Sequence, residues 1–176
     1  MIKYSRAELT LAMLQTVLLI VFFNVLMATV LPSFQLYSGR FSVSVMVVIF
    51  LSLFVRNLFL PFFILILLYI HSFFTIEPWA IAGLSALTLC ALIGAVRHLL
   101  NFRSRVSIAP VTFLGYLLWY FILGLLLSFK TGEFNILVSY LVDGLWSGAI
   151  LSLFSPFIFI FLDYIWKIKR SAMGVL

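Results

Sequence analysis

Five acids, two histidines and a single cysteine are the residues here whose types could do chemistry, and nearly all of them border apolar runs. Asp143 is the carboxylate most in need of a reason, because an acid within a membrane segment is costly and marks an ion or substrate path by default. It abuts Gly144 and Gly148, a GxxxG spacing that favours close helix contact. The flanking run places Asp143 near the outer interface, where the cost of a charge falls away. Partner docking or a structural hydrogen bond is therefore expected there rather than proton relay. Glu77, Glu133, Lys130 and His71 fall on the same side, and such a set could do acid–base work on a lipid-linked substrate. That chemistry needs a mutual geometry that spacing alone does not supply. His71 has no second histidine near it for a metal, and His98, beside Arg97, reads as a solvated loop group. Cys90 has neither a disulfide partner nor a Cys or His at ligand spacing. No nucleophile, base and orienting group stand together, so no catalytic residue, metal or cofactor is expected.

Other polar and small residues read as packing devices. Gln15 and Asn24, in the first apolar run, could hydrogen-bond neighbouring helices. The fourth run is dense in small residues, with Gly83 and Ala86 at its centre, and a small-residue face lets helix backbones approach closely in lipid. Tyr116, Trp119, Tyr120 and Phe121 form an aromatic cluster that could line a pocket for an apolar ligand or dock a partner helix. Pro156 sits inside the last apolar run, where it should kink the helix.

The elements that must hold these residues follow from composition. Of 176 residues, 65% are apolar and 9% charged, with a mean hydropathy of +1.29. That is too little charge to cover a water-facing surface. The bilayer must act as solvent, and a helical bundle pairs every backbone group within its own segment. The runs are apolar all round rather than alternating, which excludes a barrel. The net charge of +6 points to anionic lipid headgroups and not to nucleic acid, since the bases line one membrane face.

The expected architecture is an all-α integral membrane protein: one domain over residues 1–176, a bundle of six transmembrane helices with both termini inside. The helices are expected at about 8–31, 41–55, 58–74, 79–96 and 110–129, then an interfacial helix at 134–146 and a final span at 147–166. Lys3 and Arg6 precede the first run, Arg56 parts the second from the third, Arg97, Arg103 and Arg105 follow the fourth, and Lys167, Lys169 and Arg170 follow the last. Arg40 and Lys130 alone fall on the other side. Basic residues resist translocation, so this alternation sets orientation as well as number. Reading 41–74 as one helix would place Arg97, Arg103 and Arg105 outside and bury Arg56 at a cost of about 2.5–3.5 kcal/mol. Pro61 suits the first turn of the third helix. From Phe134 to Trp166 the chain stays apolar for roughly 50 Å of helix, far beyond a ~30 Å hydrocarbon core, so a break or kink is expected. Glu77 and Trp79 are expected at one interface, and Asp163 and Trp166 with the basic cluster at the other. The first run is too long for a cleaved signal, and no lipidation motif is present.

Three stretches carry a family resemblance: the short pair Phe41–Val55 and Leu58–Phe74 broken by Arg56-Asn57; the turn His71–Pro78 leading into the small-residue helix from Trp79; and Asp143-Gly144 followed by Leu153–Phe159 around Pro156, closed by Leu162-Asp163-Tyr164. In length, six-helix layout and local texture the chain resembles the bacterial rod shape-determining protein MreD family. Where that family often carries an acid in the third helix, this chain has Tyr69 and His71. The resemblance implies a non-enzymatic inner-membrane scaffold of the cell-elongation machinery. It would bind a single-span MreC-like protein and so link cytoplasmic MreB filaments to peptidoglycan synthesis by a SEDS glycosyltransferase and a class B penicillin-binding protein. The bundle is also similar to the substrate-binding S components of energy-coupling-factor vitamin transporters, which share its size. The small-xxx-small step from Ala91 to Ala95 could dock a transport partner in that case.

Overall fold

The computed structural model describes residues 6–33, 42–55, 57–75, 77–97 and 108–168. The chain forms six helices: α1 (Arg6–Ser33), α2 (Val43–Phe54), α3 (Leu60–Ser72), α4 (Trp79–Val96), α5 (Ile108–Thr131) and α6 (Asn135–Ile165). No strand occurs among the described residues. Four helices, α1, α4, α5 and α6, are long and apolar enough to cross a membrane; α2 and α3 are shorter. Arg40, Arg56, His98, Arg103, Arg105, Lys169 and Arg170 lie outside the described residues, as does Lys3.

Several hydroxyls inside these apolar helices are satisfied by their own backbone, whereas the buried Ser128 hydroxyl has no partner among the described residues. Thr16 donates to Ala12 O at 2.7 Å, Ser52 to Val48 O at 2.7 Å and Thr112 to Ile108 O at 2.8 Å. Each bond spends a polar group one turn back, so a serine or threonine can sit in an apolar setting at little cost. Pro61 falls in the first turn of α3, where its missing N–H removes no intrahelical bond.

α5 and α6 form an antiparallel hairpin, turned at Gly132, whose φ of +77° suits a residue without Cβ. Down the hairpin, three glycines each face a tyrosine of the other helix. A Cβ built at Gly124 would meet Tyr140 Cβ at 3.0 Å, at Gly144 Tyr120 Cβ at 2.8 Å, and at Gly148 Tyr116 Cβ at 3.1 Å. Each glycine thus leaves room for the tyrosine opposite it, whose Cβ comes within about 3 Å of where a methyl group would stand. Lipid is as apolar as a leucine side chain, so close van der Waals contact rather than burial holds such helices together.

α2 is the centre of the molecule. Every residue from Val43 to Leu53 is buried, and α2 packs against all five other helices. Ile49 fills the notch left by Gly115 of α5, and Phe50 meets Phe159 of α6 edge-on at 5.2 Å. α2 is also much shorter than its neighbours. From Gly115, α5 continues for roughly 24 Å to Thr131, whereas from Ile49, α2 has roughly 9 Å left before its first residue. The α5–α6 hairpin therefore stands above the α2–α3 hairpin, and its tip exposes Phe129, Phe134 and Val138.

Two expectations need correction. Residues 134–146 and 147–166 are not an interfacial helix followed by a separate span: Asn135–Ile165 is one continuous helix. Ser147, at the expected break, donates to Asp143 O and keeps the helical register. At Pro156 the carbonyl of Ser152 loses its usual amide donor, and Ser155 Oγ donates to that carbonyl at 2.7 Å instead. The second correction concerns the interface residues. Trp166 is fully buried and Glu77 nearly so, whereas Trp79 is half exposed. Trp166 turns inward because its indole N–H finds an acceptor on α1 and its ring packs on Phe63.

Candidate functional site

The polar groups that the fold gathers most tightly lie where the α2–α3 hairpin opens. His71, 1% exposed, sits near the end of α3. Its Nε2 lies 3.1 Å from Ser42 Oγ and its Nδ1 3.1 Å from Ser44 Oγ, on the first turn of α2. Tyr116 of α5 donates its hydroxyl to the carbonyl of Ser42 at 2.6 Å. Three helices are thus tied at one point inside the bundle. Ser42 and His71 lie equally far along the sequence from Arg56-Asn57, and an antiparallel pair brings such residues to one level.

A hydroxyl within 3.1 Å of an imidazole has the spacing of a nucleophile and its base. The other ring nitrogen, however, meets a second hydroxyl and not a carboxylate, so nothing in the cluster stabilises a protonated ring. What the arrangement does is brace the helices: both ring nitrogens are occupied, and opening either contact leaves a polar group in an apolar core.

The residues singled out from the sequence are dispersed. Gly144 and Gly148 are buried against α5, as described. Asp143, half-buried beside them, accepts the Ser147 hydroxyl on its backbone carbonyl. Gly83 faces α3, where a Cβ would meet Leu65 at 3.1 Å, and Ala86 is buried on the same helix. Pro156 is half-buried in α6. Glu133 and Lys130 are exposed at the α5–α6 turn, far along the hairpin from His71. Asn24 is buried, and its Nδ2 has no hydrogen-bond partner among the described residues. No group of three or more His, Cys, Asp or Glu is placed to hold a metal among the described residues.

Comparison with family models, with curated proteins and with solved structures finds no match to this chain.

The opposite end of the bundle carries a second polar arrangement. The Trp166 indole donates to Thr16 Oγ1 at 3.0 Å, and Lys167 Nζ donates to Glu8 Oε1 at 2.8 Å. These two bonds latch α6 to α1. The ion pair raises the Lys167 ammonium above the usual lysine value, so it is charged at neutral pH. A groove of about 540 Å³ runs alongside, with Glu8, Leu11, Ala12 and Gln15 on one wall and Asp163 and Lys167 on the other. α6 closes here with a Schellman turn: Ile168 N–H reaches Asp163 O at 2.9 Å and Lys167 N–H reaches Tyr164 O at 3.2 Å. Lys167, at φ +46°, occupies the left-handed position where glycine is usual.

The hydroxyl–imidazole brace escaped sequence reasoning because its members are 27 and 29 positions apart. The available signal was Ser42 and Ser44 opening a very apolar segment, and one histidine at the matching height of the other arm.

Proposed function

We propose that this chain is a non-enzymatic membrane scaffold that crosses the bilayer six times with both termini in the cytoplasm. It serves bacterial cell elongation in the manner of the MreD family, in the inner membrane. The alternation of basic residues supports the orientation. The tip of the α2–α3 hairpin lies near the Trp166 end of the bundle, since Phe63 packs on Trp166, and this supports reading both short helices as crossings of a locally thinned layer.

One observation carries the scaffold reading over the vitamin-binding one. Three of the four aromatic residues of the fifth-helix cluster, which would line a solute chamber, are packed into the bundle: Tyr116, Trp119 and Tyr120 are at most 1% exposed, two of them seated on α6 glycines, while Phe121 faces outward. That packing supports the scaffold reading, as does the apolar surface that faces outward, where lipid and a partner helix can reach it. A single-span MreC-like protein is the partner proposed, with a SEDS glycosyltransferase and a class B penicillin-binding protein in the same assembly.

The test is a mild-detergent pull-down of tagged protein, with mass spectrometry of proteins and small molecules together. Recovery of a single-span periplasmic coiled-coil protein with wall synthases is the expected result. Recovery of ATPase subunits or a bound vitamin would overturn the reading.

A further inference from the structure

The outward apolar surface of this bundle has two heights. α3 and α4 pack on each other and form one face. On α3 the exposed apolar residues run from Leu58 through Phe62 and Ile66 to Phe73, a strip about 23 Å tall. On α4 they run from Trp79 through Leu84 to Val96, about 26 Å. The two strips lie side by side, because Tyr69 near the end of α3 meets Trp79 at the start of α4 edge-on at 6.1 Å. Polar residues close this face at both ends, Ser72 and Thr75 at one and Asn57 and Arg97 at the other.

α6 forms the other face. Its exposed apolar residues run from Phe134 through Leu145 and Leu153 to Tyr164, about 45 Å. The two faces start level, since Phe63 near the start of α3 packs on Trp166 just past the end of α6. The whole difference in height therefore falls at the far end.

In a membrane, an apolar strip and the hydrocarbon beside it must match, and a strip that is too short thins the layer around it. Against a typical core of about 30 Å, the α3–α4 face is short by about 4–7 Å, and α6 is not short at all. Tilting does not help, because a tilted helix spans less. A core of about four fifths the usual height calls for acyl chains of about 14 carbons in place of about 18. We infer that the α3–α4 face thins the bilayer locally and gathers phospholipids with these shorter chains, while the α6 face holds chains of ordinary length. This deepens the reading of the short helices as crossings and rests on it.

Tryptophan fluorescence tests the inference. Trp119 and Trp166 are fully buried, and one exposed ring stands on each face, Trp79 on α4 and Trp146 on α6. Trp146→Phe therefore leaves Trp79 as the ring that lipid can reach, and Trp79→Phe leaves Trp146. Each full-length variant is reconstituted in dibrominated 18-carbon phosphatidylcholine, which quenches on contact, mixed with unbrominated phosphatidylcholine of graded chain length. Recovery of fluorescence ranks the lipids by how well they displace the quencher. At Trp79 the 14-carbon lipid should do so about threefold better than the 18-carbon lipid, a modest factor because each ångström of mismatch costs only a fraction of a kcal/mol. At Trp146 the 18-carbon lipid or a longer one should rank first. Helical circular dichroism checks the fold, and Trp79→Leu with Trp146→Leu supplies a second pair of variants. The same ranking at both rings, or no advantage of the shorter chains at Trp79, would overturn the inference and leave the crossings standing. Quenching at Trp146 with none at Trp79 would mean that a second copy covers the α3–α4 face, and would overturn it too. Quenching at neither ring would overturn the membrane reading along with it.

Discussion

Residue by residue, the glycines of this chain sort by what a methyl group would touch. At Gly144 the new Cβ would lie 2.8 Å from Tyr120 Cβ, an atom fixed to its own backbone that cannot swing away. At Gly94 nothing lies within 4 Å. Gly144→Ala should therefore cost about 1–3 kcal/mol by overpacking, whereas Gly94→Ala should cost nothing. Unfolding of the two variants in mixed detergent and SDS micelles checks the order, and equal stabilities would contradict it. The brace around His71 gives a second expectation. Tyr116→Phe removes a 2.6 Å bond to the Ser42 carbonyl, and membrane hydrogen bonds of this kind average about 0.6 kcal/mol with a ceiling near 1.7. His71→Ala strips both serine hydroxyls of their ring partner and should cost more, about 1–3 kcal/mol. A His71→Ala protein as stable as Tyr116→Phe would show that the serines find other partners. At this scale the sequence was legible where spacing is local. The Gly144–Gly148 step marks a close helix contact within one segment. The partners of His71 are set by a hairpin whose height no local window contains.

Among the elements, α6 departs most from expectation, and serine is the reason. A proline inside a helix orphans the carbonyl four residues back and usually bends or ends the helix there. Ser155 supplies the missing donor from its side chain, so the helix runs on to Ile165. A double-mutant cycle tests this. Ser155→Ala should cost about 1 kcal/mol in the native chain, the value of one hydrogen bond. It should cost close to nothing after Pro156→Ala, which restores an amide donor to the Ser152 carbonyl. Equal costs in both backgrounds would mean that the serine does something else. The length of the apolar run rightly signalled that this segment exceeds a single crossing. It could not show that the excess is taken up by a helix standing beyond its neighbours instead of by a break. Helix positions elsewhere were readable, because apolar runs bounded by Arg, Pro and Gly leave little freedom. Trp166 was misjudged, since tryptophan beside lysines suggests an interface while Thr16 and Phe63 draw it inward.

For the whole molecule, sidedness is the first quantity to measure. With Cys90 replaced by alanine, single cysteines at Gly132 and Asn57 should label from opposite faces of the membrane with an impermeant maleimide. Labelling of both from the same face would reduce six crossings to four and make α2–α3 a re-entrant hairpin. Arg56 is the one basic residue whose side differs between the two arrangements, so labelling at Asn57 tests the charge pattern where it chooses between them.

The complete burial of α2 has a consequence for the order in which the protein is made. α2 leaves the ribosome before α4, α5 and α6 exist, yet those helices supply much of its covering. At roughly 18 Å it is too short to hold a place across a bilayer by itself. Its seat is therefore finished by the last helices synthesised, and a nascent chain halted after α4 should leave Asn57 in a different compartment or depth from the full protein. On the six-crossing reading, insertion should run from a provisional placement to a final one, with α6 as the element that closes it.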